Sequence, residues 1–465
     1  MKTQALAWNF LRGLKARPIV LLESPGKGSD KRFSLLAGEP LFLLEGRRSR
    51  AWLRCGGRRW RLGLPPERAL ERLGWALARR KAGPEFWPLL CALSYEAGNR
   101  FESLPGPLPE PLGLPDWWAF LPGLWAARGP KQGGWKLERG GLDPGLARAL
   151  ARAFGLPVAA LAAARKAPLE AHRLATAWLK EDHPIPPPEP ARALGRPRSN
   201  LGAAGYRDRV RRIRRHILDG DLYQANLAHQ WSLRYPGDPF DLYRRLSALN
   251  PSPMAAYADL GTVQLASASP ERLFRLEGRD VETRPIAGTA PRLGRPGERE
   301  ALRRSAKNAA EHVMLVDLER NDLGRVCEPG SVKVSRYRGV ETYSHVHHLV
   351  SRVRGRLRAG LGLADLLAAG FPGGSITGAP KIRCQEIIHG LEGQARGWYT
   401  GSLGWWEPRA GRADLNILIR SIFVKAGRAY ASVGAGVVLD SDPQAEWEET
   451  LAKSAALLAA LGSPR

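Results

Sequence analysis

The stretch "EDHPIPPPEPARALGRPRSN", residues 181–200, limits the possible folds more than any other part of this chain. It holds six prolines. Each proline fixes φ and removes a backbone donor, so neither a helix nor a central strand runs through such a run. The segment is expected to be extended and semi-rigid rather than packed. It divides the chain into an N-terminal region, 1–180, and a C-terminal region, 201–465, with 181–200 as linker. A chain of 465 residues suits two domains or one large two-layered one.

The N-terminal region mixes strand-like runs ("PIVLLES", "PLFLLEG") with Ala/Leu/Arg helices. The C-terminal region alternates strands and helices. "TVQLASASPERLF" alternates at Val263, Leu265 and Ser267, which reads as a strand running into a turn. "EALRRSAKNAAEHVMLVDLERNDLG" reads as a helix with Leu302, Ala306, Ala309, Val313 and Val316 on one stripe. "SDPQAEWEETLAKSAALLAAL" reads as a helix with Asp442 as N-cap and Pro443 at its first position.

Composition narrows the function classes. Hydrophobic residues make up 44%, enough for a sizeable core. No apolar run reaches the roughly 18 residues of a membrane span, and Asn9, Arg12 and Lys15 interrupt any signal-like core, so a cytosolic protein with no membrane contact is expected. The four cysteines form no CxxC pair, which argues against a disulfide framework or thiolate zinc site. The net charge of +26 raises nucleic-acid binding. In the densest basic run, however, Tyr206, Val210, Ile213 and Ile217 form an apolar stripe that turns the arginines outward. No zinc-finger spacing or RNA-binding aromatic signature accompanies them, so no nucleic acid is expected. A basic surface serves equally well to steer a small dianionic substrate.

Several residues suggest chemistry. Glu446, Glu449 and Lys453 share a helix face, and Glu311 stands beside the apolar "VMLVDL". Carboxylates converging from two helices without cysteine or clustered histidine suit a hard cation such as Mg²⁺. "FPGGSITGAPK" (371–381) has a P-loop's glycine frame but Ala379-Pro380 where Lys-Ser/Thr is required, so a nucleotide site is excluded. It remains a glycine-rich loop opening a helix near Pro380. "ASVGAGVV" offers Gly434 and Gly436 for close backbone approach to a ligand. In "SHVHHLVS", His345 and His347 share one strand face and His348 points the other way; a single catalytic histidine, titrating near neutral pH, is expected rather than zinc.

These segments form an ordered set: "GDLYQANLA", "NPSPM", "SASPERLF", "TRPIAGT", "AEHVMLVDLERNDLGRV", "HHLVS", "PGGSITGAPK" and "DSDPQAEWEET". The set resembles the chorismate-utilising enzymes, which include the large subunits of anthranilate and aminodeoxychorismate synthases and the isochorismate and salicylate synthases. "LLES", "RFSLLAGEP" and "LSYEAGNRFE" look like the family's N-terminal region. The resemblance implies an α+β fold with two lobes, β-sheets packed against each other, helices outside and the active site in the cleft. It implies Mg²⁺ on Glu311 and Glu449, with Glu446 acting through water. Tyr399, Arg420 and the amides of Gly434, Ala435 and Gly436 would hold the enolpyruvyl carboxylate of chorismate, and Gly288 and Thr289 would line its pocket. His348 and Glu271 match an acid/base pair for the departing C4 hydroxyl, Thr377 another catalytic position, and Lys453 a partner for the metal carboxylates. Ser24, Pro253 and Met254 match a tryptophan pocket. No cysteine here lies in a glutaminase motif, so ammonia would come from a separate glutamine amidotransferase subunit.

Ala287 in "PIAGT" sharpens the choice of reaction. Alanine neither activates water nor attacks carbon, so lysine-based hydration and a covalent lysine intermediate are both disfavoured. That point alone resembles anthranilate synthase. "GDLYQANL", "SPERLF" and "PGGSITGAPK" look like the aminodeoxychorismate side, and that product is the expectation.

Overall fold

In a computed structural model, residues 2–25, 33–102, 104–129, 134–162, 169–180, 185–191, 193–292, 294–342 and 346–463 are described. Among them, 21 strands form one hydrogen-bonded network in which every paired register is antiparallel. The network bends into two arms that share the long strands Ser34–Arg47 and Trp117–Arg128. One arm continues through Ile19–Glu23, Met254–Asp259, Gln264–Ser269, Ser421–Lys425, Arg428–Val437 and Gln224–Arg234. The other continues through Leu89–Leu93, Ser402–Glu407, Arg412–Asn416, Arg272–Glu277, Asp280–Thr283 and Val346–Arg356. The expected α+β sandwich is the architecture found.

Alternation along the strands explains the layering. Val20 and Leu22 join the core between the arms, with Leu265, Leu415 and Trp405. Ile19 and Leu21 face the other way, into a core roofed by helices that supply Tyr206, Val210, Leu242, Ile388 and Leu457. Each such side chain, fully buried, contributes about 1.5–3 kcal/mol.

The proline-rich segment departs from its expectation. It is extended but pinned. Arg244 donates to the carbonyl of Pro186 at 2.6 Å, and the amide of Ala193 to that of Leu461 at 3.0 Å. Leu194–Ser199 adds a strand to the edge of Gln224–Arg234. Proline removes donors but leaves carbonyls, and here the basic side chains of helix Pro239–Leu249 take them. Strand pairs Ile19–Glu23 with Met254–Asp259, and Leu89–Leu93 with Ser402–Glu407, cross from one side of this segment to the other.

The helix expected around 300–324 is two. Ser305 breaks it and caps Ala306–Gly324 by accepting from the amide of Asn308. The expected stripe also faces the wrong way at Val313, which is 44% exposed. The inward face carries Val316 of that stripe together with Leu315 and Leu323, and also His312 and Glu319, which meet Ser351 and Thr283 inside.

Candidate active site

Two crossovers build the centre of the site. The chain passes from one arm to the other between Ser269 and Arg272, and returns between Asn416 and Ser421. Glu271 lies on the first crossover and Arg420 on the second. They are tied together: Ile417 N donates to Glu271 O at 3.0 Å, Ala268 N to Arg420 O at 3.1 Å, and Ser269 Oγ to Ile417 O at 2.5 Å. Arg420 holds a left-handed backbone, φ 51°. Such a conformation in a non-glycine residue costs on the order of 1–3 kcal/mol and clusters at functional sites.

Glu271 is buried. Ser375 Oγ donates to its Oε1 at 2.8 Å, and the Ile286 amide also binds the carboxyl. Burial outweighs these bonds and the cations Arg420 and Lys453, so the pKa rises to about 7. The acid therefore carries its proton up to neutrality.

His348 lies across from it, with Arg420 Nη2 at 3.5 Å from Nε2. Burial, then Arg420, push its pKa down to about 3. The neutral-pH titration expected of this histidine is thus displaced: it stays an uncharged imidazole, and Glu271 is the group that titrates near pH 7. As expected, His347 faces the other way, bonded to Thr342 at 2.9 Å and Glu298 at 3.3 Å. His345 lies outside the described residues.

The "PIAGT" segment is a β-bulge. Ile286 pairs with Val350 and Thr289 with His348, so one extra residue fits between them. Gly288 takes φ 86° there, and a Cβ would meet Leu349 and Asn308 at 3.1 and 3.2 Å. The bulge sets the backbone of Thr289 beside His348. The side chains of Ala287 and Thr289 lie outside the described ones.

Gly434 and Gly436 lie mid-strand in Arg428–Val437, not in a turn. A Cβ on Gly434 would stand 2.6 Å from Asn226 Oδ1 and 2.8 Å from Leu227 O, and one on Gly436 would collide with the Gln224 amide. Ala435 is fully buried between them. The same strand meets the carboxylate helix Pro443–Leu461, capped by Asp442 as expected. Lys453 Nζ donates to Gly434 O at 3.0 Å and pairs with Glu449 at 2.8 Å. Glu446 accepts from Ser441 Oγ at 2.6 Å. Glu311 approaches from helix Ala306–Gly324, its Oε1 3.8 Å from a Cβ built on Gly436. Gly434→Ala is expected to destabilise by about 1–3 kcal/mol through overpacking against Asn226 and Leu227. An unchanged melting temperature would contradict this placement of the strand.

Among the described residues, no group of three His, Cys, Asp or Glu side chains is gathered to hold a metal. Glu311 and Glu449 nevertheless offer only oxygen donors at the glycine strand. That fits Mg²⁺, which takes one or two carboxylates and completes its shell with water and substrate.

Sequence reasoning missed what holds the floor. Arg396 is buried and donates to Glu392 Oε1 at 2.7 Å, Ile376 O at 2.7 Å and Asn226 O at 2.6 Å, while stacking over Tyr95 at 4.6 Å. Glu96 accepts the amides of Arg396 and Gly397 at 2.7 and 3.0 Å. Beside them Tyr399 is buried, and burial raises its phenol pKa, so it remains an O–H donor. Thr377 is buried, its hydroxyl on Gly373 O at 2.8 Å. At the opposite edge Ser24 Oγ donates to Pro253 O at 2.5 Å beside buried Met254, which brings the three expected pocket residues together.

A family model described as chorismate binding enzyme matches residues 51–459. The chain belongs to the chorismate binding enzyme family. It is 38% identical over 460 residues to anthranilate synthase component 1 of Thermus thermophilus, covering 96% of this chain and 93% of that protein. It is 49% identical over 268 residues to anthranilate synthase component 1 of Streptomyces coelicolor, covering 57% of this chain and 52% of that one. Over 261 residues it is 46% identical to aminodeoxychorismate synthase component 1 of Bacillus subtilis, covering 55% of each. The chain thus spans about half the length of several curated relatives it matches, 52% and 55% in the last two. Among solved structures, anthranilate synthase component I from Streptococcus pneumoniae superposes with TM-score 0.76 at 29% identity, covering 92% of this chain and 93% of that one.

Proposed function

We propose that this member of the chorismate binding enzyme family aminates chorismate with ammonia to give 4-amino-4-deoxychorismate, as the large component of a cytoplasmic aminodeoxychorismate synthase. The observation that carries this reading is where three motifs fall. "GDLYQANL" supplies Gln224 and Asn226 against the glycine strand, and "PGGSITGAPK" supplies Ser375 on Glu271 and the buried Thr377. "SPERLF" supplies Glu271 itself and Arg272, which is buried on Asp414 at 2.8 Å. Of the motifs leaning to the aminodeoxychorismate side, two supply the acid and its Ser375 partner, and the third lines the glycine strand.

Arg420 and Tyr399, with the amides of Gly434, Ala435 and Gly436, bind the enolpyruvyl carboxylate. Gly288 and Thr289 shape the ring pocket. Protonated Glu271 donates to the C4 hydroxyl, which leaves as water, and ammonia supplies the amine. His348 stays a neutral hydrogen-bonding imidazole, and the proton released as the amine forms returns to the Glu271 carboxylate. Glu311 and Glu449, with Glu446 through water and Lys453 balancing charge, would hold Mg²⁺, which supplies a grip on the ring carboxylate. A separate glutamine amidotransferase supplies the ammonia, and tryptophan is a ligand for the pocket at Ser24, Pro253 and Met254.

Anthranilate synthesis is the second reading, favoured by Ala287 and by the relative from Thermus thermophilus that matches across 96% of this chain. Chorismate, ammonium and Mg²⁺ are expected to give no fluorescent product until a lyase is added, and then 4-aminobenzoate. Direct appearance of anthranilate fluorescence overturns the proposal.

A further inference from the structure

Glu319 is a buried carboxyl group that the reaction above leaves without a task. It projects from the inward face of helix Ala306–Gly324, eight residues beyond Glu311. Two contacts define its place. Thr283 Oγ1 donates to its Oε2 at 2.9 Å. Its Oε1 stands 3.7 Å from where a Cβ on Gly374 would sit.

Each contact lies next to a grip on Glu271. The strand that ends at Thr283 is joined through Arg284 and Pro285 to Ile286, whose amide binds the Glu271 carboxyl. Gly374 precedes Ser375, whose hydroxyl donates to Glu271 Oε1 at 2.8 Å. One of the two segments that hold the acid is therefore bonded to Glu319, and the other packs against Leu318 with Glu319 close behind. We propose that Glu319 is a positioning residue for Glu271, bracing from behind the two backbone segments that grip the acid's carboxyl group. The inference rests on the reading of Glu271 as the proton donor.

The surrounding charges fit this arrangement. Facing Glu319 are Asp322 on its own helix, Lys381 from helix Lys381–Glu392, and Glu271 itself. Lys381 binds Asp322 at 2.5 Å and the carbonyl of Gly370 at 3.0 Å, which fastens the loop on its far side. Arg325 also faces Asp322, and Arg420 and Lys453 face Glu271 from the cleft. Burial, aided by Asp322, raises the pKa of Glu319 to about 7. The brace therefore passes from acid to anion in the same range as Glu271. An anion there favours the protonated form of its neighbour, as like charges do.

The test uses the full chain with Glu319→Ala, Glu319→Gln, Thr283→Val and, as a surface control on the same helix, Arg320→Gln. Glu319→Ala is expected to lower kcat about tenfold with the KM for chorismate within about twofold, a loss made in the transition state. Glu319→Gln keeps the acceptor for Thr283 and is expected to recover most of that loss at pH 6. Without the anion, the midpoint of Glu271 ionisation, read as the carboxyl infrared band that disappears in Glu271→Gln, is expected to fall by about 0.5, roughly a threefold change in proton affinity. Thr283→Val is expected to lower kcat about threefold, and Arg320→Gln to leave it unchanged.

A wild-type kcat in Glu319→Ala overturns the proposal. So do equal losses in the alanine and glutamine variants with the Glu271 midpoint unmoved, since packing alone would do that. If the alanine variant fails to fold, an unchanged kcat in Thr283→Val overturns it. The infrared midpoint needs no turnover, so it judges Glu319 even if chorismate is not the substrate. A Glu271→Gln variant that keeps wild-type activity would instead sink the role of Glu271.

Discussion

Glu271→Gln will lower kcat by about 10²–10⁴-fold, the range a positioned proton donor supplies. The wild-type rate should fall as pH rises through about 7, because protonated Glu271 is the donating form and ionisation removes it. That limb should vanish in the glutamine variant. Stability should run the other way. A carboxyl whose folded pKa is raised above its unfolded value loses stability as pH rises between the two, here from 4.5 to about 7. Glutamine has no such titration, so at pH 8 the variant should melt no lower than wild type. Loss of activity together with a lower melting temperature at pH 8 would mean that Glu271 is structural.

Arg396→Met carries the largest expected effect on stability. The guanidinium satisfies Glu392 on both oxygens and the carbonyls of Ile376 and Asn226. Methionine fills much of the volume but leaves a buried carboxylate and two carbonyls without those donors. Breaking one side of a buried ion pair costs about 3–5 kcal/mol. In a chain of 465 residues, with an unfolding entropy of about 2 cal/mol/K per residue, that corresponds to a fall in apparent melting temperature of roughly 3–5 °C. Arg396→Met with Glu392→Leu should recover part of the loss, because no charge is then stranded. Thermal melts of both variants check this. A single variant within about 0.5 °C of wild type, on the order of the melting shift from 0.5 kcal/mol, would contradict the role given to Arg396.

The same pair shows where the sequence stops being readable. Glu392 and Arg396 stand four residues apart, the spacing of an ordinary solvated helix pair. Only the three-dimensional fold places them at the site floor, because Tyr95 and Glu96, some 300 residues earlier in sequence, cover them. Local patterns were legible where local physics decides: the Asp442 cap, the strand through Leu265 and Ser267, and the buried stripe of Tyr206, Val210 and Ile213 all stand as expected, while Val263 falls just before the strand. Helix Ala306–Gly324 was misread because its interior face is partly polar. His312 meets Ser351 and Glu319 meets Thr283 on the same inward face as Val316, so apolar spacing alone does not mark the buried side. The glycines of "VGAG" read as places of close backbone approach, and what approaches them in the fold is the neighbouring strand with Gln224 and Asn226. His348 was placed correctly on its strand, but its protonation depends on its burial and then on Arg420, 72 residues away, which no local pattern reveals.

The central claim is that this cleft replaces the C4 hydroxyl of chorismate with an amine and keeps the enolpyruvyl group. The most direct measurement supplies the chain with chorismate, Mg²⁺ and ¹⁵N-ammonium and follows the product by NMR. The expected result is ¹⁵N bonded at C4 of a non-aromatic ring, with no pyruvate released. Aromatic product labelled at C2, with one pyruvate released per turnover, would contradict it.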